Sequence, residues 1–424
     1  MNSDTGDILA VETLVIGGGQ AGIATSEHLG RHGCPHLVVE RARIAERWRS
    51  GRWDSLVANG PAWHDRFPNQ TFDQTAPDAF APKEEVAAYF ERYAAMIDAP
   101  IRTGVAVRRL SRRADGQFMA ETDGDAAFAR TIVAKNVVVA TGPFHHPVIP
   151  PMIPAHADVT QIHSADYKNP AQLPAGGVLV IGAGSSGVQI ADELNRSGHP
   201  TWLAVGPHHR PPRRYRGRDF AWWLDVLGKW DEPASVAGQH VTIAVSGARG
   251  GHTVDFRELA HAGVTLIGPV SGYADGKVQI APDLAANIAA GDANYLTTLQ
   301  ESDAYAQREG IDLPEEPDAY TIGPDPDCLT HPLAELDLRA AGITTVVWAT
   351  GYAFDFSWID IDADLFDAHG SPHHVRGVTA VPGLHFVGLP GLWRRASAFI
   401  WGVWHDAAYL ADHIAARMAA RDAA

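Results

Sequence analysis

The chain has 424 residues, 46% of them hydrophobic, and a formal net charge of −16 at pH 7. The length suggests two or three domains, the apolar share excludes a disordered chain, and the acidity excludes a general affinity for nucleic acid or anionic membrane. With only two cysteines, Cys34 and Cys328, a disulfide framework, a CxxC redox pair and a cysteine-rich metal site are excluded as well. Residues 1–10 are polar and acidic, with no basic start and no long apolar run, so neither a signal peptide nor a spanning helix is expected and a cytoplasmic enzyme is the default expectation.

The first element is a buried strand over residues 12–17, which runs into Gly17-Gly18-Gly19-Gln20-Ala21-Gly22 and a helix to about Arg31. The pattern Gly17-x-Gly19-x-x-Gly22 stands between strand and helix, where a dinucleotide turn needs it. Gly17 serves the tight turn, Gly19 the approach of the backbone to a pyrophosphate, and Gly22 the close packing of helix on strand. The helix N-terminus offers unpaired N–H groups and partial positive charge to the phosphates. A second strand over residues 36–40 ends in Glu40, placed to accept a hydrogen bond from a ribose hydroxyl about 20 residues after the turn. Gln20, Ala21, Arg41 and, further on, Trp48 and Val107 join these as cofactor-binding candidates.

The next strong signal is Val137-Val138-Val139-Ala140-Thr141-Gly142, an apolar strand ending in Ala-Thr-Gly. Thr141 and Gly142 would sit at a cofactor's edge. Prolines at 143, 147, 150, 151, 154, 170 and 174 then mark a segment crossing between domains, because proline stiffens the chain and ends helices.

A second turn follows: strand 177–182, then Gly182-Ala183-Gly184-Ser185-Ser186-Gly187, then a helix to about Arg196. Gly182, Gly184, Ser185, Ser186 and Gly187 are its cofactor-binding candidates. The strand after it, residues 200–205, ends without an acid. Arg210, Arg213, Arg214, Arg216 and Arg218 follow, and in a chain this acidic such a cluster suggests a 2′-phosphate site favouring NADP. Arg210, Arg213 and Arg214 are the preferred candidates; a solvated basic loop is the alternative. Residues 219–316 are the least legible. Trp222, Trp223 and Trp230 there would line a substrate cavity or, as tryptophans more commonly do, fill core.

The Ala-Thr-Gly signal returns at Val346-Val347-Trp348-Ala349-Thr350-Gly351-Tyr352, giving Thr350 and Gly351 as candidates. A last strand over residues 383–388 adds Gly388. It precedes a helix over about 396–418, whose N-terminus would point at whatever lies at the C-terminal end of the sheet; in a flavoprotein that would be the isoalloxazine, whose negative charge on reduction it would steady. The fold expected is α/β, with two Rossmann-like dinucleotide-binding domains, the second inserted in the first: 1–160, then 161–344 with a partly helical insertion at about 215–330, then 345–424.

With both turns and both Ala-Thr-Gly strands in place, the chain resembles the flavin-containing monooxygenases, the two-dinucleotide class that also holds the YUCCA-type and Baeyer–Villiger enzymes. Trp53-Asp54-Ser55-Leu56-Val57-Ala58-Asn59 is similar to that family's aromatic-Asp-Ser-Leu-x-x-Asn stretch, Ala349-Thr350-Gly351-Tyr352 to its Ala-Thr-Gly-Tyr signature, and His163 to Tyr167 to the end of its fingerprint F-x-G-x-x-x-H-x-x-x-[Y/F/W]. The fingerprint's Phe and Gly are Ala157 and Val159 here. The resemblance implies FAD and NADPH as cofactors and a flavin C4a-(hydro)peroxide that oxygenates a small organic substrate. It implies Asn59 as the catalytic residue, through its amide, although Asn before Gly60-Pro61 is also a common turn residue. Tyr at 167, where Trp marks Baeyer–Villiger enzymes, tilts the expectation toward N- or S-oxygenation. His163 and Tyr167 are expected to brace the interdomain linker.

The chemistry then belongs to the cofactor, consistent with a sequence that carries no nucleophilic triad. Adjacent histidines on a strand, such as His208-His209, point to opposite faces, and His145-His146 sits in a proline-rich loop, so no metal site is expected. The partners expected are a small-molecule substrate and O2, without nucleic acid or membrane, and a homodimer is left open. Two alternatives stay open beside Baeyer–Villiger oxygenation of a ketone: an NAD(P)H-dependent quinone or ferredoxin reductase, and a non-catalytic flavin redox sensor. A disulfide reductase would need a vicinal dithiol, which the sequence lacks.

Overall fold

The computed structural model describes residues 8–125, 128–233 and 242–423; residues 1–7 of the acidic start lie outside the described residues. The first sheet begins with β1 (Ile8–Ile16), β2 (His36–Glu40), β3 (Ile101–Thr103), β4 (Val105–Arg112), β5 (Phe118–Gly124) and β6 (Thr131–Val139). β1 runs parallel to β2 and β6, while β4, β5 and β6 form an antiparallel meander. Leu14, Val15 and Ile16 are buried along with Val137, Val138 and Val139. Such unbroken apolar runs suit central parallel strands covered on both faces. Helix α1 (Gln20–Arg31) follows β1 directly, and α2 (Lys83–Met96) precedes β3.

The second sheet is built from β7 (Thr160–His163), β8 (Gly177–Ile181), β9 (Thr201–Ala204), β10 (Thr265–Ile267) and β11 (Ile343–Trp348), in the order β10-β9-β8-β11-β7 and all parallel. Helix α3 (Ser185–Arg196) follows β8, and the 26-residue α4 (Leu284–Glu309) lies within the segment 219–316. The chain returns to the first sheet with β12 (Ile359–Asp360) beside β4, β13 (Leu384–Phe386) beside β6, and the terminal helix α5 (Ile400–Asp422).

One boundary moves. The sequence places the return to the first domain at 345, but Val346, Val347 and Trp348 pair with both β8 and β7. The crossing back therefore falls after Trp348. The outgoing and returning segments meet: His146–Pro147 pairs antiparallel with Tyr352–Ala353, and the Thr350 hydroxyl donates to the Val148 carbonyl.

The first domain also reaches into the second. Trp53 and Leu56 belong to the same buried cluster as Val178, Val180, Leu194 and Val347. At roughly 1.5–3 kcal/mol for each large apolar side chain buried, this insertion makes the two domains dock rather than merely hang from linkers. Polar neighbours complete the join: Ser55 Oγ donates to Glu193 at 2.6 Å, and Asn169 Nδ2 donates to Asp54 at 2.7 Å.

Candidate active site

Both glycine turns sit at the C-terminal ends of their first strands, where doubly wound sheets bind ligands. Gly17 and Gly182 have φ of +117° and +106°, which disfavours any side chain. The cradles are tight in the same way. A Cβ at Gly22 would lie 1.8 Å from the Gly17 carbonyl oxygen, and one at Gly187 would lie 1.8 Å from that of Gly182. Ala140 and Ala349, of the two Ala-Thr-Gly strands, approach Gly17 and Gly182 through carbonyl oxygens that a Cβ would meet at 2.5 Å. Both turns therefore fit a dinucleotide, and the glycine pattern has a steric reason at each.

The mouths differ. Space beside Gly19 is open, with nothing within 4 Å of a Cβ placed there, whereas Thr242 lies 3.5 Å from the same point at Gly184. Ser185 Oγ donates to the Ile243 carbonyl at 2.8 Å, which holds this segment against the start of α3. Ser186 is half-buried in the first turn of the same helix. At the first turn Glu40 accepts from Gly18 N–H at 2.7 Å and from Ala42 N–H at 2.8 Å, so its carboxylate lies across the turn. Arg41 is exposed beside it, and Trp48 is half-buried between the two domain cores.

The chain entering α5 closes on the same place. Gln20 Nε2 donates to the Ala398 carbonyl at 3.0 Å, and a Cβ at Gly388 would meet Ala21 at 2.6 Å. The start of α5 thus stands beside the start of α1. Thr141 Oγ1 lies 3.1 Å from His145 Nε2, Gly142 has φ of +71°, and Val107 packs in β4 against the core that holds Val39. Within α5, Asp406 is buried, and burial raises its carboxyl to about 6 although Ser397, Arg394 and Arg376 pull it down.

Asn59 lies where the domains meet. Its Oδ1 accepts from Gln189 of α3 at 3.0 Å, and its carbonyl accepts from Arg213 at 2.6 Å. His163 Nε2 lies 3.0 Å from the Gly351 carbonyl and Tyr167 donates to Glu193 at 2.7 Å. Both tie the linker to the second domain. Burial, and then the Glu193 carboxylate, push the Tyr167 phenol far up, so it stays neutral.

The arginine cluster is arranged otherwise than its composition suggests. Arg210 is buried, 2.7 Å from Asp292 and 3.3 Å from Asp255, and Arg213 is buried in a pair with Asp219. Arg216 pairs with Asp303 at 2.9 Å, and Arg218 lies over the Trp222 ring. These side chains fasten α4 and its neighbours, so Arg210 and Arg213 are not presented to a phosphate; Arg214 alone of the preferred three is exposed. The missed signal is on α4: Asp292 and Asp303 are three helical turns apart and share one face. Trp223 is fully buried and donates to the Tyr215 carbonyl at 2.9 Å, and Trp230 is buried against Ala396, so both are core. His145 and His146 meet Asp355, and no group of three metal-ligating side chains occurs among the described residues.

Residues 14–216 match the family model of the pyridine nucleotide-disulphide oxidoreductases. A CzcO-like oxidoreductase of Geobacillus kaustophilus is 33% identical over 95% of this chain and 98% of its own length. The indole-3-pyruvate monooxygenase YUCCA1 of rice is 30% identical over 51% of this chain and 53% of its own. Among solved structures, a flavin-containing monooxygenase from Stenotrophomonas maltophilia superposes with a TM-score of 0.66 over 97% of this chain and 99% of its own at 20% identity, a likeness of fold.

Proposed function

The chain belongs to the CzcO-like oxidoreductases of the flavin-containing monooxygenase family, and on that premise we propose that it transfers one oxygen atom from O2 to a soft nitrogen or sulfur of a small organic molecule, using FAD and NADPH. The observation that carries this reading is the position of Asn59, held between the first domain and the helix of the second turn. The chemistry FAD supplies when bound is acceptance of hydride from a nicotinamide and activation of oxygen.

Everything else falls to the chain. Gly17, Gly19, Gly22 and Glu40, with Thr141, Gly142 and Gly388, would hold the flavin dinucleotide; Gly182, Gly184, Ser185, Ser186 and Gly187 would hold the nicotinamide one, with Arg214 retained as the phosphate candidate. Docking of Trp53 and Leu56 into the second core keeps the two sites from drifting apart. The half-buried amide of Asn59 offers a neutral donor at that seam. Tyr rather than Trp at 167 favours a heteroatom over a ketone as acceptor.

A thiol–disulfide route is disfavoured on physical grounds. Cys34 is buried and Cys328 half-buried, and burial raises both thiols, so neither is a ready thiolate. The test uses FAD-loaded protein with NADPH under air and a panel of sulfides, amines, hydroxylamines and ketones. A product heavier by one oxygen atom from a sulfide or amine is expected. Oxygenation of ketones alone would overturn the heteroatom reading, and NADPH consumption without any oxygenated product would favour a reductase. Asn59→Ala is expected to retain FAD while releasing more hydrogen peroxide per NADPH.

A further inference from the structure

One buried side chain joins the second dinucleotide turn to Asn59. Gln189 lies on α3 just beyond Gly187 and is 8% exposed. Its amide nitrogen is 2.9 Å from the Val245 carbonyl oxygen and 3.0 Å from Asn59 Oδ1. A backbone carbonyl only accepts, so the group facing Val245 must be the Gln189 NH2. The second hydrogen of that NH2 then points at Asn59, and the Asn59 atom meeting it must be oxygen. The Asn59 NH2 is thereby turned away from Gln189.

The Asn59 backbone is fixed by the same domain, because Arg213, itself paired with Asp219, donates to its carbonyl. Val245 is held in turn by the segment that begins at Thr242 and packs through Gly247 against the Ala58 carbonyl, where a Cβ would come within 2.1 Å. An asparagine amide can otherwise take either of two orientations of similar shape. Here a chain of three groups selects one: a carbonyl that can only accept, an amide that must donate twice, and an oxygen that must receive.

We propose that Gln189 is a positioning residue that selects the amide orientation of Asn59, leaving its NH2 as the free donor, and that makes this orientation depend on the helix that binds the second dinucleotide. The inference rests on the reading of Asn59 above. It predicts different consequences for two substitutions. Gln189→Leu removes the donor and frees the amide to rotate. Gln189→Glu keeps the shape but can only accept, so it draws the Asn59 NH2 toward itself and reverses the selection.

The experiment takes FAD-loaded wild type, Gln189→Leu, Gln189→Glu, Asn59→Ala and the double variant Gln189→Leu/Asn59→Ala. It reads flavin content, hydrogen peroxide released per NADPH oxidised in air, and the Kd of NADP+ by calorimetry. Both Gln189 variants are expected to keep their flavin, and both to release roughly 5-fold more peroxide per NADPH, the size expected of coupling between touching residues. NADP+ should bind about 3-fold or more weakly to Gln189→Glu. The double variant should match Asn59→Ala, because a residue that acts through another has no effect once that other is gone. Effects that add in the double variant, or Gln189 variants like wild type while Asn59→Ala releases peroxide, would overturn the positioning role alone. An Asn59→Ala that behaves as wild type would remove the Asn59 reading and this one with it. If Gln189→Leu folds poorly, the isosteric Gln189→Glu carries the test.

Discussion

At the first turn, the side of Gly19 where a pyrophosphate approaches is open; at the second, the matching side of Gly184 faces Thr242 at 3.5 Å, and Ser185 is bonded to Ile243. The glycines are spaced alike and the internal contacts of the two cradles agree to within a few tenths of an ångström. What distinguishes the sites is therefore supplied from a distance: a carboxylate from β2 at one, a segment far along the chain at the other. A glycine pattern specifies that a turn can admit a dinucleotide, while neighbours brought in by the fold decide how it is admitted.

The strongest way to break this comparison is to fill the cradles one at a time. Gly22→Ala places a carbon 1.8 Å from a carbonyl oxygen, and the turn must move. Flavin bound per protein, read by absorbance, is expected to fall by about tenfold or more, since even modest overpacking costs about 1–3 kcal/mol. Gly187→Ala carries the same overlap in the second turn and is expected to keep FAD while the KM for NADPH rises by a similar factor. Equal loss of flavin from both would mean that the turns do not act separately.

The next effect separates recognition from architecture. Arg210→Ala opens a buried void and takes from Asp292 one of its two arginine partners, Arg257 staying at 2.5 Å, so a loss of about 1.5–3 kcal/mol is expected, the scale of a hydrogen bond to a charged group. Urea denaturation should show that loss, with the KM values for NADPH and NADH changed alike. A selective rise for NADPH would instead return Arg210 to a phosphate site.

A smaller, pH-dependent effect belongs to the first turn's neighbour. The Asp406 carboxyl is raised from 3.8 to about 6 by burial, so the folded chain holds this proton more tightly than the unfolded chain does. Stability from this group is present below about pH 4 and is lost as pH rises to about 6. Asp406→Asn should raise the Tm relative to wild type above pH 6 and lose that advantage toward pH 4; a pH-independent difference would argue against it. The smallest effect tests the covered mouth itself. Thr242→Gly clears the space beside Gly184 and should tighten NADP+ binding by roughly 2- to 3-fold, the scale of a few van der Waals contacts, without touching flavin content.

Much of this is legible in the sequence. Gly17-x-Gly19-x-x-Gly22 and Gly182-x-Gly184-x-x-Gly187 punctuate strand and helix within a residue or two of where they occur, because the steric demand is local. The Ala-Thr-Gly strands were legible as strands, but the sheet that β11 joins depends on pairing with β7 and β8, which no local pattern records. The arginines were legible as charge and not as partners, since composition does not say that Asp292 and Asp303 face them across the fold. Likewise, Trp53 and Leu56 read as part of a family-like stretch, and their burial in the other domain's core appears only in three dimensions.

The pairing of β13 with β6 joins Leu384 to Val137 across the whole inserted domain. On a ribosome, that strand arrives roughly 12–50 s after β6 has emerged, at about 5–20 residues per second. Throughout that interval Val137, Val138 and Val139 lack the neighbour that covers their edge, while the second domain, all of whose strands lie between, can close first. The nascent chain thus finishes its middle before its beginning, and the apolar edge that waits is where a slow or interrupted synthesis would seed aggregation.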